Sequence, residues 1–515
     1  MMTTTPRRYP EPEEPARPED YDGRVGRVVA AFLIVLAVAI LSVSVLLAIV
    51  HVDDRFQVDL SAGTRLGLAE WAERGEVYPP FFDGEHYGGT RYMPIPFVLH
   101  AALSDLTGDI LASGKALSLL YMSLLLALTF LILRRMGAPT FVSLALVATI
   151  PSTKVGIHQL AGLREDALAA FLQLAALFMV WRSRDRAAIA AAGALAAIAI
   201  FTKLTAVWGV AAIFVYLLVN DRRRVALFAG TWAAVAAGVF MVFQFWSDGR
   251  MLENLRELSF TGLAGESSPI RPARVLLLLV QEAPAVWPLV SLAVLEIVLQ
   301  LRRHTVGIFQ LGFLLHLPVL YVMFTSTGVA FGHLIDLMVL TVVSAGALWA
   351  RVAQAEGWLR TTGLAFASLV VWAILSSAVV GAERQGVAAL SPAPGSPPPA
   401  QASESTRALD DYMQPGDEIL SEDPGLVVER GQLPVVLDPF MFLRLGDKRP
   451  ELVRDLVERI ERKDFDRILL LYRPDTRYGQ WWYSTYHFGT RPVAAIAENY
   501  RLLTRAGQYF VYVPR

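Results

Sequence analysis

Apolar runs separated by short polar junctions dominate the first three quarters of the chain. Val28–Val50 is a 23-residue apolar run, enough for a helix to cross a bilayer core of about 30 Å. It is longer than a signal-peptide core and lacks a clear cleavage site, which predicts a retained helix. Further runs follow at 114–133, 138–152, 167–181, 187–202, 204–219, 225–246, 275–301, 305–324, 329–350 and 361–381. The run Pro94–Leu106 is short and interrupted by Pro94 and Pro96, which predicts a re-entrant or interfacial segment rather than a crossing.

Alternate junctions carry clustered arginines: Arg134/Arg135, Arg182/Arg184/Arg186, Arg222/Arg223/Arg224, Arg302/Arg303, and Arg351 with Arg360. Short loops rich in Lys and Arg stay cytoplasmic. With Arg24 and Arg27 before the first span, this alternation predicts about eleven spans, a cytoplasmic N-terminus and an extracytoplasmic C-terminus.

The pattern divides the chain into four. Residues 1–27, rich in Pro, Glu and Arg, read as a disordered cytoplasmic tail. Residues 28–385 form the membrane domain, with a long outer loop at 51–113 in which Leu60, Thr64, Leu68 and Trp71 recur at the spacing of an interfacial helix. Residues 386–406 are a Pro-rich linker. From 407 to 515 the pattern turns soluble and α/β, with strands expected near 418–421, 435–437 and 467–472, a helix at 450–462, and a hairpin of 500–504 with 508–513. The fold class expected is an α-helical polytopic membrane protein with a small C-terminal extracytoplasmic α/β domain.

Composition agrees: 54% of the residues are hydrophobic and 18% charged, with a mean hydropathy of +0.45. The chain has no cysteine, which excludes disulfides, thiol catalysis and cysteine metal sites. A net charge of −1 with no basic block gives no sign of a nucleic-acid partner.

The charged residues that remain gather at one rim. Asp59 opens the interfacial helix, where it is either an N-cap or a general base at the membrane surface. Arg164-Glu165-Asp166 opens the fourth span, where acids also suit a helix dipole. Lys203 splits the apolar stretch 187–218 into two short spans, either snorkelling or receiving a lipid-linked phosphate. His333 and Asp336 sit three apart at the outer end of a span, as an interhelical hydrogen bond or a functional pair. Glu282 and Gln281 are weaker candidates of the same kind. Arg91 precedes the proline-broken segment and could bind phosphate, beside Tyr92. A divalent metal among Asp59, Glu85, His86 and Asp166 is chemically reasonable, but the spacing specifies none. Gly108…Gly114-Lys115 fails as a phosphate loop, because Ala116 replaces the hydroxyl residue. A transporter or flippase would show internal repeats and midplane charges; the sequence has no repeat, and its charges lie at the rim.

These residues, in this order, resemble the GT-C superfamily of membrane glycosyltransferases, which includes protein O-mannosyltransferases and the lipid A aminoarabinose transferase. The resemblance rests on Asp59 followed by Ala62, Gly75 and Tyr78; on Arg164-Glu165-Asp166; on Thr202-Lys203; on the glycine-led turn ending in His333 and Asp336; and on Asn499-Tyr500…Val511-Tyr512-Val513-Pro514. The entry motif is here Tyr92-Met93-Pro94-Ile95-Pro96, and His333 stands where many members carry Asn. The resemblance implies a sugar donor on a polyprenyl phosphate and a glycan, lipid or protein acceptor, at the outer face of the plasma membrane. It implies Asp59, with Asp166 and Glu165, at the reacting centre, and Lys203, Arg91 and Arg164 near the donor phosphate. Substrate would also touch His333, Asp336 and Tyr92.

Overall fold

The structure is a computed structural model that describes residues 24–183, 185–259, 268–282, 286–326, 329, 331–353 and 407–515. The expected N-terminal tail through Gly23, the last span at 361–381 and the Pro-rich linker lie outside the described residues, as do the side chains of Gln281 and Glu282.

Among the described residues, five helices are long and apolar enough to cross a membrane, which makes this a multi-pass membrane protein: α1 (Arg24–Val50), α4 (Ile110–Arg135), α10 (Arg222–Trp246), α14 (Ile308–Thr325) and α15 (Ile335–Ala353, extended at its start by a 3-10 turn, Phe331–Leu334). Shorter apolar helices lie among them: α7 (Asp166–Arg182), α8 (Arg186–Thr202), α9 (Trp208–Asn220) and α13 (Val286–Arg302). α15 is the most enclosed span, whereas α10 packs on α8 and turns most of its surface outward.

One segment departs from the sequence expectation. The run 138–152 yields only the nine-residue α5 (Thr140–Ala148), because the chain turns at Pro151. At 1.5 Å per residue α5 is about 14 Å long, too short to cross alone. Thr153 then caps α6 (Lys154–Ala161), its hydroxyl accepting from the Gly156 amide at 3.1 Å. The run 275–301 is described as two helices, α12 (Arg271–Glu282) and α13. Pro94–Leu106 lies in α3 (Pro94–Thr107), about 21 Å long, which packs on α2 (Leu60–Glu73) and α4 and ends at Gly108 in the left-handed region.

The interfacial helix is α2 (Leu60–Glu73). Protein rather than lipid covers it: Thr64, Leu68 and Trp71 are all buried. Gly63 and Gly67, one turn apart, let the C-terminal residues approach. A Cβ at Gly63 would meet Asp423 Oδ1 at 2.5 Å and the Gly425 amide at 2.8 Å, and one at Gly67 would meet Leu437 at 2.7 Å. Two glycines in a helix cost about 1 kcal/mol each relative to Ala, and this close approach explains them.

The C-terminal residues carry a four-stranded sheet, β1 (Ile419–Ser421), β2 (Arg467–Leu470), β3 (Tyr500–Ala506) and β4 (Tyr509–Pro514), in the order β1-β2-β4-β3. β1 and β2 are parallel, joined through α16 (Pro439–Gly446) and α17 (Pro450–Arg462), and the remaining pairs are antiparallel. Leu452, Leu456 and Ile460 of α17 share a buried core with Ile468, Leu470 and Tyr512. Residues 435–437 form only an isolated bridge, Val436 with Tyr87 of the first loop. Beside it, Arg55 clamps Asp423 and Glu429, and Tyr509 donates to Asp423 at 2.8 Å. These contacts hold the C-terminal residues against loop 51–113.

Candidate active site

The two oxygens of Asp59 have different partners. Oδ1 caps α2, accepting from the Ala62 amide at 2.9 Å and from Ser61 Oγ at 2.7 Å. Oδ2 turns the other way, onto the guanidinium of Arg164, with His158 Nε2 at 3.6 Å. The Asp59 side chain is 40% exposed, whereas Arg164 is buried, so the carboxylate is the outward member of the pair. Burial alone would push the Asp59 carboxyl up, but Arg164, with His158 and Arg65, holds it well below the usual carboxylate range. Burial and Arg164 together push His158 down. Its Nδ1 faces Gln57 Oε1 at 3.1 Å and its Nε2 accepts from Arg164.

The three residues that open α7 point to three different partners. Arg164 takes Asp59. Glu165 receives two hydrogen bonds from Arg65, one of them 2.9 Å long, while Arg65 also donates to Ser61 Oγ at 2.9 Å and stacks on the Tyr92 ring at 4.7 Å. Burial would lower the Arg65 guanidinium, but Glu165 holds it well above its ordinary value; burial pushes the Tyr92 phenol up against Arg65. Asp166, fully enclosed, takes Lys203 on Oδ1 and Gln159 Nε2 at 2.8 Å on Oδ2. Lys203 is the C-cap of α8, where the apolar stretch breaks, and it is buried rather than reaching to solvent.

His333 and Asp336 do not act as one pair. His333 lies in the 3-10 turn, within electrostatic reach of Lys203 and Asp166; its Nδ1 is buried without a hydrogen-bond partner. The turn is tight, since a Cβ at Gly332 would meet Asp166 Oδ2 at 2.9 Å. Asp336 points into the bundle and accepts from Trp208 Nε1 at 2.9 Å and from Gln173 Nε2 at 3.4 Å. Arg91 sits over the Phe440 ring, 5.5 Å from its centroid, between the first loop and the C-terminal residues. Glu85 and His86 belong to a separate turn organised by Asp83. Among the described residues no group of three or more His, Asp or Glu converges as metal ligands would.

The geometry brings Asp59, Arg164, Glu165, Asp166, Lys203 and Tyr92 into one cluster and adds Arg65, His158 and Gln159, which the sequence reading did not single out. Arg65 was accessible in principle: it follows Ser61 by one helical turn and Asp59 by six residues on a capped helix. Beneath the cluster, α2, α3, α4 and the start of α7 enclose a pocket of about 40 Å³, lined on its polar side by Arg65, Ser118, Tyr121, Arg164 and Glu165. That is space for roughly three waters at ~10–15 Å³ each.

By sequence the chain matches no protein-family model, and no curated protein matches it. Solved structures do match along nearly the whole length. ArnT from Cupriavidus metallidurans in the apo state aligns at a TM-score of 0.57 and 14% identity, covering 94% of this chain and 98% of that one. The same protein bound to undecaprenyl phosphate aligns at 0.55 and 13%, covering 92% and 97%. The archaeal oligosaccharyltransferase AglB from Archaeoglobus fulgidus, in complex with an inhibitory peptide and a dolichol-phosphate, aligns at 0.53 and 12%, covering 93% of this chain and 74% of that one. The chain therefore shares the fold of ArnT and AglB.

Proposed function

We propose that this chain is a glycosyltransferase that moves a sugar from a polyprenyl-phosphate donor to a hydroxyl on a glycan, lipid or protein acceptor. The observation that carries the reading is the pairing at the rim. Two carboxylates, Asp59 and Asp166, are each held by a cation suited to a phosphate, Arg164 and Lys203; Arg164 lines the pocket, as does Thr202, the neighbour of Lys203. Neighbours of the same fold that bind undecaprenyl phosphate and dolichol-phosphate support the choice of donor.

The reaction follows from that arrangement. Asp59 takes the proton of the acceptor hydroxyl through Oδ2, the oxygen not used by the helix cap. The hydroxyl oxygen bonds to the anomeric carbon as the bond from that carbon to the phosphate oxygen breaks, which inverts the centre. The leaving polyprenyl phosphate gathers negative charge, and Arg164 and Lys203 stabilise it in a largely dry site; Arg91 guides it at the mouth. While Arg164 pairs with Asp59, the carboxylate is a weak base. A donor phosphate that draws Arg164 toward itself raises the basicity of Asp59, so the base is released only when the leaving group is bound. Glu165 and Asp166 hold Arg65 and Lys203 in position, and His333 and Tyr92 complete the walls against substrate.

The site lies on the extracytoplasmic face in this reading, with the N-terminus cytoplasmic, about eleven crossings, α5 completing its crossing together with the turn and α6 that follow it, and α3 not crossing. The arginine alternation and the seating of the C-terminal residues on the first loop support this. Reporter fusions after residues 110, 135, 160 and 405 test it: cytoplasmic signal at 160 or 405 contradicts it. The activity is tested in membranes carrying the chain, supplied with radiolabelled polyprenyl-phosphate sugars. Release of bare polyprenyl phosphate with labelled product by the parent, and not by Asp59→Asn, is expected. Equal release by both removes Asp59 from the chemistry.

A further inference from the structure

The pocket beneath the cluster contains a hydroxyl with nothing to bond. Tyr121, on α4, is 6% exposed and lines the pocket; its phenolic oxygen is buried without a hydrogen-bond partner. A second unsatisfied donor, Nε of the buried Arg164, belongs to the same pocket. Buried polar groups left unpaired are costly, and two on one small cavity mark a place shaped for something else.

The lining narrows what that is. Leu68, Met93, Phe97, Leu117 and Leu163 form an apolar wall opposite the polar side. An isoprenoid chain would suit the wall but leave both donors empty. The donor phosphate is already taken by Arg164 and Lys203 on the proposed reading, which leaves the Tyr121 hydroxyl to another part of the donor. A sugar ring presents an apolar face and neutral hydroxyls that both donate and accept, which matches wall, phenol, carboxylate and guanidinium together. Phe97 stands on α3, which is bracketed by Gly89 and Gly108 at positive φ, and this part of the wall must shift to admit a ring.

On the reading of the chain as a polyprenyl-phosphate-dependent transferase, we propose that Tyr121 is a specificity residue that hydrogen-bonds a hydroxyl of the donor's sugar. The test compares purified full-length parent and Tyr121→Phe for binding of bare undecaprenyl phosphate and of undecaprenyl phosphate carrying mannose, glucose or arabinofuranose. The parent should bind at least one sugar-bearing lipid more tightly than the bare lipid. The Phe variant should lose about three- to tenfold of that gain, the worth of one neutral hydrogen bond, while binding the bare lipid unchanged. Its unliganded melting temperature should equal or exceed the parent's, because the substitution deletes an unsatisfied group; a structural hydroxyl would lower it. An undiminished gain in the Phe variant, an equal loss for bare and sugar-bearing lipid, or a parent with no gain from any of the three sugars overturns the proposal. A parent that fails to bind even the bare lipid overturns the transferase reading instead.

Discussion

Two carboxylate–arginine pairs in the helical bundle look alike by composition and differ in how they are finished. Glu296 of α13 and Arg351 of α15 meet through two hydrogen bonds, at 3.0 and 2.6 Å. Gln300 donates to Glu296 at 2.6 Å and is itself fixed by the Gly307 amide at 2.6 Å. The carboxylate is the enclosed member, 1% exposed, and the arginine reaches outward. At the rim the order is reversed: Arg164 is enclosed with an unpaired Nε, and Asp59 faces the opening. A pair whose bonds are all made internally holds helices together. A pair that keeps a spare donor and an exposed carboxylate can exchange partners. The contrast separates architecture from chemistry without reference to any relative.

Substitutions should split along the same line. Asp59→Asn keeps one oxygen for the α2 cap and turns an amide toward Arg164, which retains His158 as a partner, so transfer should fall by about 10²–10⁴, the range of a lost general base, while thermal stability falls far less. Parallel loss of both would make the rim pair architectural. Lys203→Ala leaves Asp166 buried and unpaired, at a cost of about 3–5 kcal/mol in denaturant unfolding. Asp166→Asn combined with Lys203→Met should recover most of that stability but not the binding of undecaprenyl phosphate; recovered binding would place the phosphate elsewhere. Arg351→Met should destabilise by a similar 3–5 kcal/mol while the remaining folded protein transfers at the parental rate. A rate loss beyond the folded fraction would erase the distinction between the two ends.

The smallest effect is a pH slope. His158 has a folded pKa below its unfolded value of about 6.5. Its contribution to stability is therefore complete above about pH 6.5 and declines as the pH falls through the folded value. His158→Gln should flatten melting temperature against pH between 7 and 5; an unchanged slope would assign it to other groups.

Much of this was legible in the sequence because single-residue features report it. Apolar runs marked α1, α4, α10, α14 and α15, the turn at Lys203 was visible as a break in an apolar stretch, and Asp59 stands where a helix begins. Pairings were not legible, since no local signal joins Asp166 to Lys203, 37 positions on, or Asp59 to Arg164, 105 positions on. Lys203 read alone as a cation awaiting a phosphate; in the fold its first partner is a carboxylate. Spacing of three joined His333 to Asp336, but a 3-10 turn precedes the helix at that point and sends the two toward different neighbours. Covering of α2 by the C-terminal residues was equally hidden, although Gly63 and Gly67 are its trace in the sequence.

The central claim is that a donor phosphate takes Arg164 and Lys203 from Asp59 and Asp166. A cryo-EM structure of the full chain with undecaprenyl phosphate tests it most directly. The account predicts the phosphate oxygens within hydrogen-bond distance of the Arg164 guanidinium and Lys203 Nζ, with the Asp59 Oδ2 to Arg164 contact lengthened and Oδ1 still capping α2. A phosphate bound at another place, with both ion pairs intact, would contradict it.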